Sequence, residues 1–166
     1  MIIAGDTGGS ERGRARGPAA VLRAAGPADR DQVLRWNQAP DVRAQSRDPR
    51  PIDAAAHARW FAARLADPVG RMWIAEVDGV GVGVVRIERA PADGDDRISI
   101  ALDPAWRGRG VGRAVIAAAC AATPGPVLAE IRPDNLASRA AFAAAGFVRW
   151  PRRDHADVLA YRWSRP

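Results

Sequence analysis

The segment Arg107-Gly108-Arg109-Gly110-Val111-Gly112 carries glycine at every second position, directly before a predicted helix. Glycine has no side chain, so the backbone of such a loop can approach a ligand closely and direct several N–H groups at one anion. The positive end of the helix dipole lies at the same place. The segment therefore predicts a phosphate-binding loop; the alternative from the loop alone is an Arg-Gly turn that only begins a helix.

Neither common nucleotide-binding loop fits the spacing of these glycines. They fall as G-x-G-x-G, which differs from the dinucleotide fingerprint G-x-G-x-x-G. All 25 basic residues of the chain are arginine, so the lysine of a Walker loop is missing, and lysine Schiff-base chemistry is excluded as well.

The sequence around the loop predicts a strand-loop-helix-strand unit. Ile98, Ile100 and Leu102 alternate with small or polar residues, and residues 111–122 have helical apolar spacing that ends at Pro124-Gly125. A strand follows at 127–131, and such a crossover usually joins parallel strands. Outside this unit we predict a strand at 21–23, a helix from 29 that Pro40 ends, a helix from 54 to 66, strands at 72–77 and 82–88, a helix from 136 to 145, and strands at 147–150 and 158–163.

The composition indicates one globular domain. The chain has 166 residues, 48% of them hydrophobic, and we assign the domain to residues 19–166 and a disordered Arg- and Gly-rich extension to residues 1–18. The single Cys120 excludes intramolecular disulfides and cysteine zinc clusters, and we expect no metal and a cytoplasmic location. No apolar run approaches the roughly 20 residues that span a bilayer, so we expect no membrane partner. The net charge of +6 favours an anionic ligand.

The loop and the residues after it resemble the acetyl-CoA-binding motif of the GNAT superfamily of N-acyltransferases, written [QR]-x-x-G-x-[GA]. Arg107, Gly110 and Gly112 occupy its fixed positions, and the resemblance continues through IRPDN and NLASRAAFAAAGF to Gly146-Phe147. It implies an α/β fold in which a mixed, mainly antiparallel sheet is flanked by helices. It also implies an N-acetyltransferase with acetyl-CoA as the acetyl donor.

The resemblance implies that the fourth and fifth strands splay and that the pantetheine arm of CoA lies in the gap, bonded to the backbone of Leu102. The N–H groups of residues 109–112 and the arginines would hold the pyrophosphate. Asn135 is also an ordinary helix N-cap, and Ser138 and Arg139 could equally form a solvated face. The predicted cofactor-binding residues are Leu102, Arg107, Gly108, Arg109, Gly110, Val111, Gly112, Arg113, Asn135, Ser138 and Arg139.

The first half of the chain holds the residues that we predict to bind the acceptor, which is the amine that receives the acetyl group. The stretch W-N-Q-A-P-D-V-R at 36–43 and the H-A-R-W at 57–60 resemble the subgroup that acetylates amino groups of nucleotide-linked sugars, of the pseudaminic acid pathway type. The match departs at Gln38, which stands where the subgroup has Asn. The predicted acceptor-binding residues are Trp36, Arg43, His57 and Trp60, although Trp60 also fits a helix core and His57 a structural role.

The chemistry of such an enzyme needs a base for the attacking amine. Asp96, at the start of the fourth strand, is the first candidate and Ser99 the second, and the acidic stretch around Asp96 could instead be a polar turn. Phe142 stands where many family members carry a tyrosine acid. Tyr161, the only tyrosine of the chain, or a water could supply the proton instead, and we expect CoA to leave as a thiolate without a dedicated acid.

Several alternatives remain at this point. Besides the amino sugar, the acceptor could be an aminoglycoside, another small amine or a protein N-terminus, and the chain could form a homodimer. Outside enzymes, the alternative is a basic nucleic-acid-binding module. We expect no nucleic-acid partner, because the arginines are spread along the chain and no recognised nucleic-acid motif accompanies them.

Overall fold

A computed structural model describes residues 19–89 and 95–165 of the chain. The extension predicted at residues 1–18 lies outside the described residues. None of the helices in the described ranges is long and apolar enough to cross a membrane.

The centre of the fold is a seven-stranded sheet in the order β1-β2-β3-β4-β5-β7-β6. Every neighbouring pair is antiparallel except β4 and β5, which run parallel. The strands are β1 (Val21–Ala24), β2 (Arg71–Val77), β3 (Val80–Arg89), β4 (Asp96–Leu102), β5 (Val127–Ile131), β6 (Val148–Arg149) and β7 (Leu159–Trp163). The helices are α1 (Arg30–Gln38), α2 (Pro40–Ala44), α3 (Ala54–Ala66), α4 (Val111–Ala121) and α5 (Leu136–Ala144). The predicted fold is thereby confirmed.

The two faces of the sheet are covered by different helices. Helices α4 and α5 bury side chains such as Val115 and Phe142 against Val85, Ile98 and Ala129. On the opposite face, α1 and α3 bury another set, which comprises Val33, Trp36, Phe61, Met72, Ile74, Val84 and Ala101. Alternating residues of β4 thus serve two cores, as the period of a strand requires. We call these the α4 face and the α1–α3 face.

The pairing of β4 with β5 stops after two residues. Asp96 is paired with Val127 and Arg97 with Leu128, and the register does not continue. The last five residues of β4 therefore have β3 on one side and no strand on the other. This opening, which we call the β4–β5 gap, is the splay that the sequence resemblance implied.

Two local predictions differ from the structure. Pro40 ends α1, as predicted, but it also begins the unpredicted helix α2, because the fixed φ of proline suits a first helical position that needs no N–H donor. The strand predicted at 147–150 is reduced to Val148–Arg149, because a 3₁₀ turn follows at Pro151–Arg153.

The predicted hairpin between β2 and β3 is found, with Asp78 and Gly79 both at positive φ in its turn.

Candidate active site

The loop between β4 and α4 is shaped by one carboxylate and two left-handed glycines. Asp103 begins a 3₁₀ turn at Pro104–Trp106, where its side chain accepts a hydrogen bond from the Ala105 N–H (2.9 Å). Gly108 and Gly110 follow with φ of +71° and +81°. Gly110 is the N-cap of α4, so its left-handed backbone sets the direction in which the helix leaves the loop.

The main chain of this loop offers a row of unpaired donors. Within the described residues, the N–H groups of residues 108–113 make no hydrogen bond of ordinary length and angle to a protein atom, and the first helical bond runs from Ala114 N–H to Gly110 O (3.2 Å). Unpaired donors at the positive end of a helix dipole bind anions. Gly112 allows this end of α4 to lie against β4, since a Cβ there would already be 3.4 Å from a Leu102 methyl group.

The three arginines of the loop differ in their contacts. Arg109 and Arg113 are exposed, and the guanidinium of Arg109 lies 5.7 Å from the ring centre of Trp106. Arg107 is half-buried and turns back onto the protein, where it contacts Leu102 and Asp41. Arg109 and Arg113 are thus available to an anion on the loop, whereas the contacts of Arg107 are internal.

One hydrogen bond at the start of β4 shows which main-chain groups of this strand face the gap. The Asp96 N–H donates to Pro126 O (3.1 Å) on the β5 side. By strand alternation, the main-chain groups of Ile98, Ile100 and Leu102 are directed toward the same side. The Leu102 carbonyl already accepts hydrogen bonds from Arg107, so the Leu102 N–H is the group that remains for the predicted contact with pantetheine.

Ser99 and Glu130 lie on either side of the gap. Continuing the register beyond the pair Arg97 and Leu128 places residue 99 opposite residue 130, and both side chains are on the α1–α3 face. The Glu130 side chain is only 16% exposed and forms ion pairs with Arg97 (3.6 Å) and with Arg47. Glu130 is not among the residues predicted from the sequence, although a lone carboxylate in the apolar strand VLAEI was a usable signal.

Asp96 occupies a different position from Ser99. It lies on the α4 face, at the closed end of the gap where the two strands still pair, and its carboxylate is 3.5 Å from the Arg89 guanidinium. The structure therefore does not bring the two predicted base candidates together.

The four residues predicted to bind the acceptor have mainly internal contacts. Trp36 is 2% exposed, and its indole N–H donates to Asp103 (3.3 Å). His57 is 3% exposed, packs against the rings of Trp60 and Phe61, and has no hydrogen-bond partner among the described residues. Burial lowers the pKa of His57 below its usual value. These two side chains belong to the core.

Arg43 and Trp60 are half-buried. Arg43 donates to Arg50 O (3.0 Å), to Ser46 Oγ (3.2 Å) and to Asp48 O, so it holds the segment between α2 and α3 in place. The Trp60 ring packs on His57 and has the Arg86 guanidinium 5.3 Å above it. The structure thus does not assemble the four residues on one open surface.

Asn135 is the N-cap residue of α5, which is the role predicted from the sequence as the alternative to cofactor binding. Its side chain accepts the Ser138 N–H at 3.0 Å, as an N-cap does. Arg139 donates to the Tyr161 hydroxyl (3.1 Å) and to Pro133 O (2.9 Å). Phe142 packs edge-on against Phe147 at 4.9 Å and supplies no acid.

Comparisons with known proteins agree with this architecture. The fold is similar to the spermidine N-acetyltransferase of Vibrio cholerae, solved with CoA and spermine, at a TM-score of 0.75 and 16% identity over 87% of this chain and 95% of that one. It is also similar to the aminoglycoside acetyltransferase AAC(6')-Ib, solved with coenzyme A, at a TM-score of 0.75 and 17% identity over 89% and 95% of the two chains.

A third similar structure is the ribosomal-protein-alanine N-acetyltransferase of Brucella melitensis, at a TM-score of 0.68 and 21% identity over 87% of this chain and 99% of that one. No curated protein sequence matches the chain. Residues 20–148 match the family model described as acetyltransferase (GNAT) domain. The chain belongs to the GNAT acetyltransferase family, whose members are N-acetyltransferases that use acetyl-CoA.

Proposed function

We propose that the protein acetylates the primary amine of a small polar molecule within the β4–β5 gap, with Glu130 as the base. The observation that carries this proposal is the placement of Ser99 and Glu130 across the gap, beside a loop with unpaired N–H groups. The loop after β4 supplies an anion site for the cofactor, and Glu130 on β5 supplies a carboxylate for the amine.

The cofactor enters this arrangement from the α4 face. Residues 108–113 hold the pyrophosphate through their main-chain N–H groups, with Arg109 and Arg113 adding charge-assisted hydrogen bonds. The pantetheine arm takes the place of the missing strand beside Ile100 and Leu102. The acetyl thioester then reaches the α1–α3 face, toward which the side chains of Ser99 and Glu130 are directed.

The reaction itself needs a neutral amine, because an ammonium has no lone pair to attack the thioester. Glu130 accepts the proton, directly or through a water, and the amine nitrogen forms a bond to the carbonyl carbon. The carbon–sulfur bond then breaks. CoA leaves as a thiolate, which a thiol pKa of about 8.5 allows near neutral pH, and no side-chain acid takes part.

Glu130 is better placed than Asp96 for this task. Ser99 lines the gap on the same face as Glu130, whereas Asp96 lies on the other face at the closed end. Arg47 and Arg97 each pair with one oxygen of the Glu130 carboxylate, and these contacts hold the side chain beside the gap.

For the acceptor we keep the nucleotide-linked amino sugar as the first candidate. The observation in favour is a group of arginines around the segment between α2 and α3, of which Arg47 and Arg50 have side chains 70% and 83% exposed. Exposed guanidinium groups suit a diphosphate. The similar proteins named for spermidine and aminoglycoside acetylation make a polyamine and an aminoglycoside the next candidates.

The experiment is a mass-spectrometric screen of acetyl transfer from acetyl-CoA. The panel holds UDP-linked and free amino sugars, spermidine, aminoglycosides and a peptide with an N-terminal alanine. Transfer to the UDP-linked sugar that exceeds transfer to the free sugar is expected. Salt-dependent RNA binding without transfer to any amine would instead support the nucleic-acid module.

A further inference from the structure

Two side-chain pairs join the α1–α2 helices to the loop between β4 and α4. The indole N–H of Trp36 in α1 donates to the carboxylate of Asp103, which also shapes the start of the loop. Asp41 in α2 forms an ion pair with Arg107, the first residue of the glycine-rich segment. In both pairs the partners are more than 60 residues apart in the chain, so these contacts connect separate parts of the fold.

Arg107 is held at both ends of its guanidinium. Nε and Nη2 donate to Leu102 O at 3.0 and 2.8 Å, and Nη1 donates to Asp41. All three nitrogens are therefore engaged within the protein. A guanidinium is planar and rigid, so contacts on two of its edges define its orientation more completely than the contact with Leu102 alone.

The backbone of Arg107 leads directly into the row of unpaired N–H groups. Its own N–H donates to Pro104 O (3.3 Å), and Gly108 follows with its positive φ. The glycines at 108 and 110 give this segment more conformational freedom than other residues would, so its ordered form depends on contacts at its ends. The side chain of Arg107 supplies that contact at the β4 end.

We propose that Asp41 is a positioning residue for acetyl-CoA: it fixes Arg107 and thereby preorganises the anion-binding loop, so the helix on the α1–α3 face contributes to cofactor affinity on the opposite face. The inference rests on the proposed function, because it takes residues 108–113 as the cofactor site. A loop that is already ordered binds its ligand with a smaller loss of conformational entropy.

A merely structural ion pair would behave differently. The side chains of Arg107 and Asp41 are 33% and 57% exposed, and exposed pairs contribute little to the stability of a fold. Loss of the pair is therefore expected to leave the unfolding temperature nearly unchanged. Its effect on cofactor binding is what separates a positioning role from a structural one.

The experiment measures the Kd of acetyl-CoA by calorimetry and the unfolding temperature for three variants of the full chain. Asp41→Asn is expected to weaken binding about three- to tenfold, with the unfolding temperature within about 1 °C of wild type. Asp41→Glu, which keeps the charge, is expected to recover most of the affinity. The matched control is Asp31→Asn on α1, because Asp31 is an exposed carboxylate that pairs only with its neighbour Arg30 (2.9 Å) among the described residues.

A double-mutant cycle tests whether Asp41 acts through Arg107. When Arg107 is already replaced by Gln, adding Asp41→Asn is expected to cause no further loss of acetyl-CoA affinity, since no guanidinium remains for Asp41 to hold. Equal affinity of Asp41→Asn and wild type, or losses that add in full in the double variant, would overturn the inference. Failure of the wild-type protein itself to bind acetyl-CoA would instead overturn the proposed function of the loop.

Discussion

Arg107 donates two hydrogen bonds to the main-chain carbonyl of Leu102, from Nε at 3.0 Å and from Nη2 at 2.8 Å. Leu102 ends β4 at the open end of the gap, where β5 supplies no N–H to this carbonyl. A partly buried carbonyl without a strand partner needs a donor, and the guanidinium provides it. The charged residue of the glycine motif therefore stabilises the strand end, while the glycines leave the backbone donors for the anion.

The first prediction concerns Gly110, whose φ of +81° is accessible to glycine at low cost. In Gly110→Ala the added Cβ disfavours this conformation by roughly 1–2 kcal/mol and turns the adjacent N–H groups away from their common point. We expect at least about a tenfold loss of acetyl-CoA affinity in calorimetry, because those N–H groups form the site that we propose for the pyrophosphate.

Gly79 is the matched control for this substitution. It has a φ of +76° in the exposed β2–β3 turn, so Gly79→Ala carries a similar backbone strain far from the loop. We expect Gly79→Ala to lower stability and to bind acetyl-CoA as wild type does. Undiminished binding by Gly110→Ala would contradict the assignment of the loop.

The second prediction concerns the base. Glu130→Gln keeps the size of the side chain but removes its basicity, so kcat is expected to fall by about 10² to 10⁴ while the KM for acetyl-CoA stays unchanged. Steady-state kinetics with the best amine from the transfer screen measures both constants. Glu76→Gln is the control, because Glu76 lies on β2 and pairs with Arg23 (2.8 Å) away from the gap.

Asp96→Asn distinguishes the two candidate carboxylates. If Glu130 is the base, the kcat of Asp96→Asn is expected to remain within a few-fold of wild type. A large loss in Asp96→Asn together with a normal Glu130→Gln enzyme would restore the base predicted from the sequence.

The third prediction concerns the close approach of β3 and β4. A Cβ on Gly83 would lie 2.5 Å from Ala101 O and 2.6 Å from a Leu102 methyl carbon, so Gly83→Ala forces the two strands apart. We expect a loss of about 1–3 kcal/mol in the free energy of unfolding, measured in urea. Gly81→Ala on the same strand is the control, since its nearest contact would be an ordinary 3.5 Å from Ile74 Cγ2. Equal stability of the two variants would contradict this account of Gly83.

Much of the fold was predictable because it depends on local patterns. The turn at Asp78-Gly79, the alternation from Ile98 to Leu102 and the N-cap at Asn135 each specify their element within a few residues. Helix α2 was missed because Pro40 is compatible with both the end of one helix and the first turn of the next.

The site was less predictable because it depends on contacts between distant residues. Glu130 is placed across the gap from Ser99 only when the pairing of Arg97 with Leu128 in the folded sheet is extended by two residues. In the same way, nothing near Trp36 in the chain indicates that its indole bonds to Asp103 and is buried, so an aromatic residue beside arginines suggested a ligand platform.

The last prediction uses the buried imidazole of His57. Burial against Trp60 and Phe61 lowers the pKa of His57 in the folded state, while in the unfolded state the pKa stays near its usual value of about 6.5. Below that pH His57 is protonated in the unfolded chain but stays neutral in the folded protein. The free energy of unfolding therefore falls as the pH is lowered. The contribution is fully present above the unfolded pKa, and it is lost as the pH falls toward the folded pKa, at up to about 1.4 kcal/mol per pH unit.

Urea unfolding at pH 7.5, 6.5 and 5.5 measures the slope of the free energy of unfolding against pH. His57→Phe fills the same aromatic position without a titrating group, so its free energy of unfolding is expected to depend less on pH than that of wild type across this range. His155→Gln is measured alongside as the control, since it removes the other histidine of the chain, which is exposed. If wild type and His57→Phe lose stability equally between pH 7.5 and 5.5, the buried imidazole is not the group responsible, because His57→Phe keeps an aromatic ring at this position and removes the titrating group.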